Sequence, residues 1–185
     1  MIPSSLMRRL ESLEANKLRE FLARKNVALG LDLGLKLGYA IAVKNNGDKW
    51  QVLEGGVGSL DIKPKKYETT CTSYFKFLRF LDEIKPGQIF YEDIKYTPPK
   101  GTVGYGRLVH SFSTLISLRT VLEVWAEENG ASLLAINPSK ISSLIKVKSG
   151  RAKKEEAINF VKENFGIEVD HHGADALICL MIGLE

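Results

Sequence analysis

Apolar residues recur along this chain with two different periods, and each change of period marks a new element. Over residues 5–25, Leu6, Leu10, Leu13, Leu18, Phe21 and Leu22 keep helical spacing, with Ser4 or Ser5 available as N-cap. Shorter runs of strand character follow at 27–33, 38–43 and 51–58. The last two are joined by Lys44-Asn-Asn-Gly-Asp-Lys49, which carries an Asn-Gly hairpin signal. Residues 64–84 predict a helix facing inward through Tyr74, Phe77, Leu78 and Leu81, and Lys85-Pro86-Gly87 stops it. A fourth strand is expected at 88–94. The prolines and glycines of 95–106 exclude helix and central strand there. A long helix over 107–129, a fifth strand over 131–136 and helices over 138–145, 153–165 and 171–184 complete the pattern.

Three meander strands followed by helix, strand, helix, strand and helix is the order of a ribonuclease H-like α/β domain. The expectation is a five-stranded mixed sheet flanked by helices over residues 26–185, preceded by an N-terminal helical extension over 1–25. In that order the first and fourth strands lie side by side at the centre of the sheet. A length of 185 residues with 44% hydrophobic content suits one domain with an appendage and excludes disorder. No apolar stretch is long enough to span a bilayer, and the first residues lack the apolar core of a secretory signal. Cys71 and Cys179 stand apart with no metal-type spacing. They read as reduced thiols in a cytoplasmic setting, bacterial or in a phage-infected cell, with an organelle left open. The net charge of +4 favours a polyanionic partner. Between residues 138 and 154 there are Lys140, Lys146, Lys148, Arg151, Lys153 and Lys154 and no acid. A solvated basic loop would look the same, but this run precedes the last helix closely enough to suggest a phosphate-backbone contact.

Four residues carry the candidate chemistry. Asp32 ends the apolar run Val27-Ala-Leu-Gly-Leu-Asp, Glu92 lies in Gln88-Ile-Phe-Tyr-Glu-Asp-Ile, and His172 and Asp175 open the last helix in Asp170-His-His-Gly-Ala-Asp. A bare carboxylate inside an apolar strand is costly unless it is paired, hydrogen-bonded or bound to a cation. With the first and fourth strands adjacent, Asp32 and Glu92 emerge at one edge, and the last helix brings in His172 and Asp175, which share a helix flank. Gathered without a cation, such groups would shift one another's ionisation strongly. Hard oxygen donors suit Mg²⁺, and two ions about 3.5–4 Å apart would activate water and stabilise a departing 3′-oxygen. Asp32 is the expected bridging ligand, and Mn²⁺ is an acceptable substitute. Each residue also has a plainer role. Asp32 could cap the following turn, Glu92 could pair with Lys95, and His172 could merely begin a helix. Asp93, Asp170 and His171 read as bystanders or supports, and strand alternation turns Asp93 to the face opposite Glu92.

The chain resembles the RuvC family of Holliday junction resolvases, particularly bacteriophage RuvC-like proteins. The resemblance runs from about 27 to 184. It is carried by Leu29-Gly-Leu-Asp-Leu-Gly-Leu-Lys-Leu-Gly-Tyr39, by Phe90-Tyr-Glu-Asp-Ile94 and by His171-His-Gly-Ala-Asp-Ala-Leu177. It implies metal ligation by Asp32, Glu92, His172 and Asp175, with His172 standing where the family often has an acid. Within Gly150-Arg-Ala-Lys-Lys-Glu-Glu-Ala157, Lys154 matches a lysine near the scissile phosphate, and Lys140 matches a second basic contact. A solvated surface lysine remains the alternative, more so for Lys140. The resemblance also implies a homodimer that binds a four-way DNA junction and nicks two strands symmetrically. A two-fold dimer can place two sites on matching phosphates of a pseudo-two-fold junction. The 107–129 helix, with Leu108, Phe112, Leu115, Leu118, Leu122 and Trp125, would serve either that dimer or its own core.

The loop over 95–106 directly follows the Glu92 strand. Tyr96 and Tyr105 could stack on or wedge between bases, with Lys95, Lys100 and Arg107 on phosphates. Lys140, Lys148, Arg151 and Lys153 complete the expected DNA contacts. Competing readings are a related ribonuclease H-like nuclease acting on other branched DNA or on RNA, an actin-like ATPase, and a catalytically idle junction-binding protein. The second would need a duplicated half and glycine-rich nucleotide loops that this chain lacks. The third has no use for acids facing a polyanion.

Overall fold

The computed structural model describes residues 26–45, 48–93, 105–146 and 151–185, the side chains of 105–111 and 151–153 excepted. The expected 1–25 extension, the Asn-Gly pair of the hairpin, and Lys95, Tyr96, Lys100 and Lys148 lie outside the described residues. Tyr105, Arg107, Arg151 and Lys153 fall in helical backbone, but their side chains lie outside them too.

In chain order the elements are β1 (Val27–Asp32), β2 (Lys36–Lys44), β3 (Trp50–Asp61), α1 (Thr70–Ile84), β4 (Gln88–Glu92), α2 (Tyr105–Asn129), β5 (Ser132–Ile136), α3 (Pro138–Leu144), α4 (Arg151–Phe165) and α5 (His171–Leu184). The strands form one sheet in the order β3-β2-β1-β4-β5. The β1–β2 and β2–β3 pairs are antiparallel, whereas β1–β4 and β4–β5 are parallel. The mixed five-stranded sheet with β1 beside β4 at its centre is therefore as the element order predicts.

Each face of the sheet has its own core. Leu29, Leu31, Leu37, Tyr39 and Ile89 pack against Phe77, Phe80 and Leu81 of α1 and Leu118, Leu122 and Trp125 of α2. On the other face, Ala28, Ala40, Ala42 and Phe90 meet Ile141 of α3, Ala157 and Val161 of α4, and Ala174 to Leu180 of α5. Full burial of one large apolar side chain contributes about 1.5–3 kcal/mol. The second face is lined by small strand residues because α5 lies directly on the backbone. A methyl group added at Gly30 would overlap the Ala176 carbonyl oxygen, and one at Gly183 would overlap the Phe90 ring.

Three element boundaries differ from the sequence expectation. Helix α1 starts at Thr70 rather than at 64, since Asp61 Oδ1 accepts the Lys63 N–H at 2.9 Å and Glu68 Oε2 accepts the Lys65 N–H at 2.7 Å. These side-chain bonds to backbone compete with helix formation. Strand β3 extends to Asp61, and its register against β2 slips between Ala40↔Val57 and Ala42↔Val52, with Gly55 at φ 70° in the intervening segment. Helix α2 begins at Tyr105, inside the segment expected to be loop. Much of its apolar stripe serves its own domain: Leu118, Leu122 and Trp125 are buried, whereas Ile116 and Val124 remain exposed.

Candidate active site at the end of the central strands

Parallel pairing matches Gly30 with Phe90 and Leu31 with Tyr91, so Asp32 and Glu92 are the next residues on neighbouring strands, about 4.8 Å apart across the ladder. Gly30 and Phe90 both face α5. Two residues further on, Asp32 and Glu92 face the same way. Asp93 turns to the opposite face, where its Oδ1 lies 3.7 Å from Arg119 of α2. Strand alternation predicts that outcome.

The third component is the first turn of α5. Asp170 is its N-cap: Oδ1 accepts the Gly173 N–H at 3.0 Å, while Oδ2 accepts Ser59 Oγ at 2.8 Å and Lys36 Nζ at 2.7 Å. One carboxylate thus ties α5 to the end of β2 and to β3. Burial raises the Asp170 pKa, but the bonds from Lys36, the Gly173 N–H and Ser59 outweigh it and hold the carboxyl well below the ordinary carboxylate range. Gly38 lets the turn come closer still, because a methyl group there would overlap the His172 carbonyl oxygen.

A depressed folded pKa stabilises the fold above the unfolded value, about 3.9, and that contribution is lost as pH falls through the folded value. Asp170→Ala is expected to lower stability by about 1 kcal/mol at pH 7, the usual cost of a lost N-cap. The deficit should shrink as pH falls below about 4, measured by urea unfolding across pH. A pH-independent deficit would remove the charged clamp from the explanation.

The anchored turn brings His172 onto Asp32, with Nδ1 to Oδ2 at 2.6 Å. A contact this short between ring nitrogen and carboxylate holds one proton, so an ionised Asp32 makes Nδ1 the donor and leaves Nε2 as the lone-pair atom. Asp175 follows three residues later, with Oδ1 shut off from solvent. His171 stacks on His172 with ring centroids 4.0 Å apart, and its Nε2 lies 2.9 Å from Lys154 Nζ of α4. An ammonium can only donate, so this His171 nitrogen accepts and the ring is neutral. Burial lowers the His171 pKa, and the neighbouring His172 and Lys154 charges lower it further.

Of the sequence-predicted residues, then, Asp32, Glu92, His172, Asp175 and Lys154 collect at one corner of the sheet. Lys140 does not join them. It shares a groove with Lys146, Ile182 and Glu185, roughly 15 Å from His172 at the helical rise per residue. Sequence reasoning left Lys36 and Ser59 unmarked. It saw Asp170 only as a bystander, although an Asp immediately before an apolar helical run is an N-cap signal.

The donor set fits a hard divalent cation: carboxylate oxygens from β1, β4 and α5 with one imidazole, placed by register and by the anchored helix. In the side-chain positions seen, no three acid, imidazole or thiol groups among the described residues converge on a single point. Asp32 Oδ2 is engaged by His172 instead.

No family model and no curated protein sequence matches the chain. Solved structures do. RuvC of Thermus thermophilus in complex with a Holliday junction substrate superposes with a TM-score of 0.58 at 18% identity, over 84% of this chain and 90% of that one. Thermus thermophilus RuvC in a second structure gives 0.55 at 20% identity, over 84% and 91%. The chain has the RuvC fold. A yeast mitochondrial Holliday junction resolvase also matches, with a TM-score of 0.48 at 19% identity over 90% of this chain and 82% of that one. Among the described residues, no helix is long and apolar enough to cross a membrane.

Proposed function

We propose that this protein is a metal-dependent endonuclease that resolves four-way DNA junctions by paired, symmetric nicks, in recombination, repair or phage DNA processing. The observation that carries the reading is the register of β1 and β4, which sets Asp32 and Glu92 side by side under a first helical turn bearing His172 and Asp175. Acids gathered where a polyanion would dock are self-defeating unless a cation neutralises them. Asp32, Glu92, His172 and Asp175 would hold Mg²⁺, with Mn²⁺ as substitute, and the bound metal supplies an activated water and charge stabilisation for phosphodiester hydrolysis. His172 orients the Asp32 carboxylate through Nδ1. Lys154 acts as a point charge on a phosphate oxygen as negative charge develops, and His171 positions it by accepting from Nζ. A homodimer gives two such sites for two symmetric cuts, and the exposed Ile116 and Val124 of α2 belong to the face that would pair.

The test is a labelled synthetic four-way junction beside a linear duplex, a flap and an RNA hairpin, each with and without Mg²⁺. Metal-dependent resolution of the junction into nicked duplexes is the expected result. Equal cutting of all substrates would reduce the protein to a general nuclease, and preferential cutting of the hairpin would make it an RNA enzyme. Lys154→Ala is expected to slow the single-turnover cleavage rate by about 100-fold while weakening junction binding less than threefold. A loss confined to binding would contradict a role at the scissile phosphate.

A further inference from the structure

On the opposite side of the sheet edge from α5, strand β3 and helix α1 enclose an open groove of about 610 Å³ lined by Leu60, Asp61, Lys65, Phe75, Lys76 and Arg79, among others. The segment from 61 to 79 holds five basic residues, Lys63, Lys65, Lys66, Lys76 and Arg79, against only Asp61 and Glu68. Both acids are engaged within the loop. Asp61 accepts the Lys63 N–H, and Glu68 accepts the Lys65 N–H and lies 3.3 Å from Lys76 Nζ. Lys76 also donates to the Lys63 carbonyl oxygen at 3.2 Å, which braces the loop on α1. The charge left to face outward is positive.

Two aromatic side chains stand exposed beside it. Phe75 is 64% exposed on α1, and Tyr67 is 92% exposed at the loop tip with Lys66 Nζ 5.8 Å from its ring centroid. A fold that buries Phe77 and Phe80 completely on the same helix has no packing use for Phe75 on the outside. Exposed rings set among lysines and an arginine are what single-stranded or splayed nucleotides bind, by stacking on the ring and by pairing with phosphate.

Position supplies the link to the active site. Lys36 pairs with Asp61 across β2 and β3, and Lys36 also holds the Asp170 cap of α5. The lip of the groove is therefore at the same end of the sheet as Asp32, two strands away, or about 10 Å. That distance corresponds to about three nucleotides along one strand.

We infer that this groove is a second nucleic-acid site, which holds an unstacked DNA strand leaving the active site by its phosphates on Lys65 and Arg79 and by base stacking on Tyr67 and Phe75. The inference rests on the nuclease reading above and extends it to a stretch of chain outside the catalytic corner.

The experiment measures fluorescence anisotropy of a labelled four-way junction in EDTA, so that binding is read without cutting, over a range of salt. Lys65→Ala/Arg79→Ala should weaken binding about tenfold at moderate salt and make the plot of log affinity against log salt shallower by about 1.8, the value for two lost phosphate contacts. Tyr67→Ala/Phe75→Ala should weaken binding by a similar factor with no change of slope. These side chains are exposed, so unchanged thermal melting verifies the fold of each variant. Wild type that fails to bind the junction would overturn the functional reading itself. Wild type that binds while both variants match it in affinity and slope would overturn the groove alone. So would competition by a polyglutamate peptide that is lost in the variants while their junction binding stays intact, since that would make the groove an acidic-peptide site.

Discussion

Asp32→Asn is expected to cut the rate of metal-dependent junction cleavage by about 10³-fold or more, the scale on which removing one transition-state charge partner acts. The substitution keeps shape and hydrogen bonding, because the Asn carbonyl oxygen can still accept from His172 Nδ1, where the native contact is 2.6 Å. Stability should therefore change by less than about 0.5 kcal/mol. Junction affinity in EDTA should hold or improve slightly, since one negative charge facing a polyanion is gone. Single-turnover cleavage and anisotropy on the same preparation separate the two effects. Residual cutting within tenfold of wild type would mean that Asp32 is only a strand-terminal cap, and the metal reading of this corner would fail with it.

Gly38→Ala tests how the corner is assembled. Gly38 pairs with Asp32 across β1 and β2, and an added methyl would occupy the space of the His172 carbonyl oxygen and lie 3.1 Å from Asp32 Cβ. Both obstacles are main chain or a side-chain root, so neither can swing aside. Relief requires lifting the first turn of α5, which would separate His172 from Asp32 and strain the Asp170 bonds to Ser59 and Lys36. Overpacking of this kind costs about 3 kcal/mol, which for a domain of this size is roughly 10 °C in Tm. Cleavage should fall even at temperatures where the variant is folded, because the lifted turn carries two of the four proposed ligands. A melting temperature within about 2 °C of wild type would show that the helix has room to spare and that its close seating is not what builds the site.

The elements with a strong period were legible in the chain itself. The α5 run was bounded correctly, because its apolar positions begin after an Asp that caps it. Strands β1 and β4 were recognisable as apolar runs ending in acid and followed by turn residues, so Asp32 and Glu92 stood out before any pairing was known. The start of α1 was misplaced for a local reason invisible to hydrophobic spacing: Asp61 and Glu68 bond the backbone N–H groups of a loop that could otherwise have been a first turn. The α2 stripe was ambiguous in kind, since a helix facing its own core and one facing a partner show the same period. Packing resolved it toward the core for Leu118, Leu122 and Trp125.

Residue pattern alone established the α/β order, the acids that ought to be explained and the basic balance of the chain. These are properties of neighbours along the polymer, expressed through period, end signals and the desolvation cost of a carboxylate. Only the tertiary structure decided who meets whom. It seated His172 on Asp32, put His171 between His172 and Lys154, made Lys36 and Ser59 anchors of α5, and carried Lys140 away to the far end of that helix. Those contacts join residues from distant parts of the chain. They depend on strand register and on how closely a helix can approach a glycine-lined sheet, and neither quantity is encoded in the spacing of any one segment.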